Sequence, residues 1–88
     1  MTSDSWDERA TGVAERVGAV RFSPVRLVPG YDMAEVDDLL DQLVAAAAHG
    51  RGLRSLVEGA RFGRTRFREG YATGEVDAFL ADLVVYAP

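Results

Sequence analysis

Four acids crowd one short stretch of the chain: Glu35, Asp37, Asp38 and Asp41. On a helix, Asp37 and Asp41 stand at i and i+4 and Asp38 and Asp41 at i and i+3, so they share a face. Carboxylates so placed could hold a divalent cation or move protons. They are equally an ordinary solvated face opposite an apolar stripe, with acids favoured by the dipole near a helix N-terminus. Two observations favour the solvated face. Forty residues downstream the counterparts of Asp38 and Asp41 are Ala78 and Ala81, and His49 is the single histidine, so no second imidazole completes a ligand set. His49 reads as a helix-end residue. Apart from His49 with scattered Ser and Thr, the chain holds no nucleophile and base to pair, and no glycine-rich phosphate loop follows a strand. A catalytic role, a cofactor and a metal are therefore not expected, and a metal-binding protein using the acidic helix is the least favoured function.

A second cluster is basic: Arg61, Arg64, Arg66 and Arg68, with Phe67 among them. In strand geometry Arg64, Arg66 and Arg68 face one way and Thr65 and Phe67 the other. One reading puts Phe67 in the core and pairs the arginines with acids such as Glu69 or those of the first acidic helix. The other is an anion-facing or lipid-headgroup surface, where each basic residue contributes about 1 kcal/mol near an anionic membrane. The direction in which Phe67 points separates the two.

These residues sit in a duplicated frame. Residues 21–44 align without gaps at an offset of 40 with residues 61–84, and 11 of 24 positions are identical. The identities include Phe22/Phe62, Arg26/Arg66, Gly30/Gly70, Tyr31/Tyr71, Glu35/Glu75, Val36/Val76, Asp37/Asp77 and Leu40/Leu80. Such a match in a short chain points to two copies of one structural unit. In each copy the last element is the clearest. Val36, Leu39, Leu40, Leu43, Val44 and Ala47 recur at helical spacing, and Val76, Phe79, Leu80, Leu83, Val84 and Ala87 repeat it. Asp32 followed by Glu35 predicts a capping box, with Glu35 reaching back. In the second copy Ala72 replaces the cap, so Thr73 is expected to cap a helix that begins one residue later and frays more. Gly50 and Gly52 should end the first long helix. The segments 21–28 and 61–68 read as extended, with Pro24 restricting the first to an edge, and as duplicates they would pair with each other as a two-stranded ribbon. Gly30 and Gly70 suit a positive φ before the chain turns into helix.

The expected fold is mainly α: two tandem helix–extended/turn–helix units sharing one core, with that short ribbon as an optional addition. Residues 1–10 read as a flexible N-terminus, 11–50 as the first repeat and 51–88 as the second. One leucine stripe, at about 25 cal/mol per Å2, hardly offsets the ordering entropy of some 40 residues, so the units should fold only together. The 88 residues include no cysteine, and no apolar run reaches the ~20 residues of a membrane span. The acidic, polar start, residues 1–8, is unlike a secretory signal, so a cytoplasmic protein is expected. A net charge of −4 argues against general nucleic-acid binding. Every basic residue is arginine, and the charge is uneven. Residues 1–50 carry nine acids against four arginines, and residues 51–88 five acids against six. Head-to-tail self-association of unlike halves into a homo-oligomer is one expected consequence.

The motif Phe62, Arg66-Phe67-Arg68-Glu69-Gly70-Tyr71 and Glu75-Val76-Asp77-Ala78-Phe79-Leu80 resembles the N-terminal domain of the bacterial DivIVA family. Gly30-Tyr31-Asp32 and Glu35-Val36-Asp37-Asp38-Leu39-Leu40 give a looser match in the first copy. The resemblance implies a non-catalytic scaffold that gathers at curved membrane and recruits cell-division or polar wall-growth partners. It also implies that an apolar-basic pair before Gly-Tyr enters lipid. Phe67 and Arg68 are the nearest counterparts, with Glu69 standing between them and Gly70, while the first copy offers Leu27-Val28-Pro29. The likeness is to a short tandem member lacking the family's long coiled coil. Its contact residues toward a membrane or protein partner would be Leu27, Arg64, Arg66, Phe67 and Arg68. The peripheral membrane module, at the inner face of the membrane, stands as the alternative to the protein-interaction scaffold.

Overall fold

A computed structural model of the chain describes the backbone of residues 5–88 and the side chains of residues 8–88. Helix α1 spans Ser5–Ala19, strand β1 Pro24–Val25, helix α2 Met33–Ala48, helix α3 Arg54–Gly59, strand β2 Gly70–Tyr71 and helix α4 Thr73–Tyr86. The architecture is mainly helical with one two-stranded antiparallel ribbon. Of the stretch expected to be a flexible arm, residues 1–4 lie outside the described residues and α1 already begins at Ser5.

The two apolar stripes meet in one core. Val36, Leu40 and Leu43 of α2 and Val76, Leu80 and Leu83 of α4 are buried in a single cluster, closed by Val13 from α1 and Leu53 just before α3. Val13 and Leu53 are themselves 40 residues apart, so the duplication extends into the first helices. Both α1 and α3 end at equivalent positions, Ala19 and Gly59. Beyond each, an arginine turns back onto the helix end: Arg21 donates to the carbonyls of Gly18 and Val20, and Arg61 to those of Glu58 and Ala60. α1 is longer, and its extra turns reach the far end of the body. There Arg9 donates to the Arg51 carbonyl at 2.7 Å, and the Arg16 guanidinium lies 3.7 Å from the centre of the Tyr86 ring.

Both long helices start at the ribbon. Their other ends meet where the Pro88 carbonyl accepts from the amides of Leu53 and Arg54, at 2.7 and 3.3 Å, so α2 and α4 run in the same direction. The end of α2 is a Schellman turn: Arg51 N–H bonds Ala46 O, Gly50 N–H bonds Ala47 O, and Gly50 takes φ 71°. His49 is the helix cap, its Nδ1 2.8 Å from Ala45 O. Gly52 serves a different purpose, since a Cβ there would come within 2.9 Å of Pro88 O.

Four expectations about the copies are corrected by the structure. The ribbon pairs Pro24 with Tyr71 and Val25 with Gly70, and isolated bridges join Tyr31 to Tyr71 and to Arg64. Each extended segment therefore pairs with the other copy's Gly-Tyr, not with its own duplicate. Gly30 and Gly70 do not take positive φ. They are glycine because the strands cross back to back: a Cβ on Gly30 would lie 2.8 Å from Tyr71 O, and one on Gly70 would lie 2.8 Å from Tyr31 O. Helix α4 begins at Thr73, the counterpart of Met33, so it is not a residue late; Ala72 takes the cap position without a side-chain hydrogen bond. Finally, only half of the capping box forms. Asp32 accepts from the Glu35 amide at 3.1 Å, but the Glu35 carboxylate crosses to the Gly63 amide of the other copy.

That crossing is one of a set. Glu75 accepts from the amide and hydroxyl of Ser23, the position equivalent to Gly63. Tyr31 donates to Asp77 at 2.8 Å and Tyr71 to Asp37 at 2.9 Å. Tyr31 N–H bonds Tyr71 O and Tyr71 N–H bonds Tyr31 O; Asp32 N–H bonds Gly63 O and Ala72 N–H bonds Ser23 O. Tyr31 stacks against Phe62 and Tyr71 against Phe22, with centroids 5.0 and 5.2 Å apart. An approximate two-fold axis through the Tyr31–Tyr71 bridge relates the copies, and the residues identical between them are largely those that reach across it.

Candidate functional site

Between the last paired residue of each extended segment and its glycine, the chain makes a turn, residues 26–29 and 66–69. These turns stand side by side and enclose a cleft of about 300 Å3 lined by Arg26, Leu27, Val28, Pro29, Thr65, Arg66 and Phe67. Leu27 and Phe67, equivalent positions, are 99% and 94% exposed, and Val28 is 58% exposed. Among the described residues Leu27 and Phe67 are the two most exposed large apolar side chains, followed by Val85 near the end of α4. Val25 and Thr65, the last residues before the turns, anchor them: Val25 is partly buried, and Thr65 is buried, accepts from the Gly30 amide and donates to the Gly30 carbonyl. Phe67 is held at φ 67°, the left-handed region in which an aromatic residue costs on the order of 1–3 kcal/mol.

The expected strand alternation is overturned at this point. Thr65 and Phe67, predicted to share a face, point to the core and to solvent respectively. Residues 66–68 are bent and not extended, and the left-handed Phe67 breaks the two-residue period. The arginines separate accordingly. Arg64 lies over the Tyr31 ring, 5.2 Å from its centre. Arg68 bonds Asp32 at 2.8 Å, joining the turn to the cap of α2. Arg26 lies 3.4 Å from Glu69 across the two turns. Arg66 lines the cleft and has no carboxylate partner among the described residues. Of the two readings of the basic run, Phe67 in the core is excluded; among the described residues Arg68 alone of its arginines meets an acid, the helix-cap Asp32, and Glu69 is taken by Arg26 of the first copy.

The Arg68 hydrogen bond, then the Glu35 amide, holds the Asp32 carboxyl below its ordinary range. The Ser23 amide does the same for Glu75. Burial, then the carboxylate each one meets, pushes the Tyr31 and Tyr71 hydroxyls up. These shifts all belong to contacts between the copies.

The acidic face of α2 divides by the same rule. Glu35 and Asp37 are engaged by the other copy, and Asp38 and Asp41 are exposed. Among the described residues no group of three or more His, Asp or Glu gathers as a metal site would require. A larger cleft of about 440 Å3 runs between the end of α1 and α2, lined in part by Arg21, Phe22, Asp37, Asp41 and Tyr71. Its Arg21 is turned to backbone carbonyls and its Asp37 to Tyr71, which leaves Asp41 as its one uncommitted charged side chain among the described residues.

Sequence reasoning named Leu27, Arg64, Arg66, Phe67 and Arg68, and the structure brings all but Arg64 and Arg68 around one cleft. Sequence reasoning named Glu69 as an arginine partner and Val28 as part of the first copy's turn, but left Val28 out of the contact residues and missed the partners Asp32 and Thr65. The offset of 40 contains a signal for Val28, because its counterpart is Arg68, in the same turn as Phe67. Among the described residues no helix is long and apolar enough to cross a membrane. Neither a family model, nor a curated protein, nor a solved structure matches this chain.

Proposed function

We propose that this chain is a non-catalytic, DivIVA-like module that docks on an anionic membrane surface through the paired turns. The observation that carries the reading is the side-by-side exposure of Leu27 and Phe67 above a cleft containing Arg26 and Arg66. A soluble partner is the weaker occupant on grounds of area. Stable protein interfaces bury about 800 Å2 per side, and three apolar side chains on two turns supply a few hundred Å2. A lipid surface asks for less. Burial of a Leu or Phe side chain contributes about 1.5–3 kcal/mol, and each nearby arginine about 1 kcal/mol at an anionic leaflet, enough for reversible attachment.

The motif resemblance supports the wider assignment, a scaffold in bacterial cell division or polar wall growth whose remaining surface recruits protein partners. Unlike charges already meet within one chain, as Asp32 of the first copy takes Arg68 of the second. Self-association through unlike halves therefore has fewer free partners than the composition suggests.

Co-sedimentation with vesicles tests the docking. Wild type should sediment with phosphatidylglycerol-containing vesicles, less so as salt rises, and Phe67→Ala should weaken partitioning about tenfold, the equivalent of about 1.4 kcal/mol. Equal sedimentation of the two proteins would refute it.

A further inference from the structure

Resting on the membrane reading, we infer that Arg66, and not Arg68, is the arginine that meets the anionic headgroup, and that the ligand chemistry is a phosphodiester seated in the cleft between the turns. Adjacency in sequence would assign this role to Arg68, which follows Phe67 directly. The geometry divides the labour differently. Arg68 is committed to Asp32 at 2.8 Å, and that carboxylate also caps α2 through the Glu35 amide. Withdrawing Arg68 toward a lipid would break that bond and release the turn from the cap of α2. Arg26 is shared with Glu69. Arg66 lines the same cleft as Leu27 and Phe67 and has no carboxylate partner among the described residues. Its guanidinium can offer two parallel N–H donors to phosphate oxygens without breaking a bond of the fold. Arg68 is then a positioning residue, which holds the strained Phe67 turn against α2.

The full chain, four single variants, Arg66→Ala, Arg66→Lys, Arg68→Ala and Asp32→Asn, and the Arg68→Ala/Asp32→Asn double variant would be compared in vesicle partitioning and thermal melting. The vesicles are phosphatidylcholine alone and phosphatidylcholine with phosphatidylglycerol, with inorganic phosphate added at matched ionic strength in a parallel arm. The expected result is a loss of about fivefold in binding to the anionic vesicles for Arg66→Ala, in line with one basic residue at such a surface. Arg66→Lys, which keeps the charge but loses the paired donors, should bind between Arg66→Ala and wild type, and neither Arg66 variant should change the melting temperature. Arg68→Ala and Asp32→Asn should each lower the melting temperature, with no further loss when combined, and weaken binding less than Arg66→Ala does. An Arg68→Ala loss equal to or larger than that of Arg66→Ala would overturn the inference while leaving the membrane reading intact. Absence of wild-type binding to anionic vesicles would remove the membrane reading itself. Displacement by inorganic phosphate would replace the lipid headgroup with a soluble phosphate ligand and overturn the assignment to lipid.

Discussion

Phe67 shows what a single residue reveals about purpose. It lies in the left-handed region, where glycine and asparagine are at home, and it is 94% exposed, so its ring gains no burial in return. The strain has no compensating contact within the fold, which is the pattern of a residue retained for something outside it. Phe67→Asn should therefore stabilise the chain by about 0.5–1 kcal/mol, because asparagine tolerates this backbone. In a domain of this size the melting temperature should rise by a few degrees, while vesicle binding falls. A variant that melts lower than wild type would mean that the ring contributes to the fold. Leu27, its counterpart, is exposed without positive φ, so the corresponding change there should leave stability nearly unmoved.

At the scale of elements the two long helices begin at equivalent positions but differ in their caps. Asp32 caps α2 through the Glu35 amide, whereas Ala72 leaves the first amides of α4 without a side-chain acceptor. Ala72→Asp supplies one, and a restored cap contributes about 1 kcal/mol, or about 4–8 °C in a chain of 60–100 residues; a melting curve that does not rise would show that α4 gains nothing from the cap. The long helices themselves were legible in the sequence, since a stripe at i, i+3, i+4 and i+7 has one geometric solution, and Val36 through Ala47 occupy it. The ribbon was legible as extended chain but not in its partners. Two-residue strands have too little side-chain alternation to fix a register. Here the register follows from the two-fold relation and from glycines that allow the Gly30 and Gly70 backbones to touch. The destination of Glu35 was hidden for the same reason: a local capping box and a bond to the other copy draw on one carboxylate, and only the assembled fold shows that Gly63 takes it. The tip was half legible, because exposure of Phe67 depends on one backbone angle that no periodicity encodes.

For the whole molecule the decisive property is that the side-chain hydrogen bonds and ion pairs around the ribbon and the two turns run mostly between the copies, although α1 packs on α2 within the first copy. The turn of the first is tied by Thr65 and Glu69 of the second, its tyrosine by Asp77, its Ser23 by Glu75; the second depends on Glu35, Asp37 and Asp32 of the first in return. Leu40 and Leu80 lie in one apolar cluster, so a separated half would expose its stripe and lose its ribbon partner together. Residues 1–50 alone and residues 51–88 alone should accordingly be largely unstructured by circular dichroism, and an equimolar mixture should regain helix with a cooperative melt. Their association should depend on concentration, since joining the halves in one chain replaces a bimolecular step by an intramolecular one at an effective concentration of order millimolar. A first fragment that melts cooperatively by itself would mean that the copies are separate domains, and the two turns would then have no fixed relation from which to present Leu27 and Phe67 to one surface.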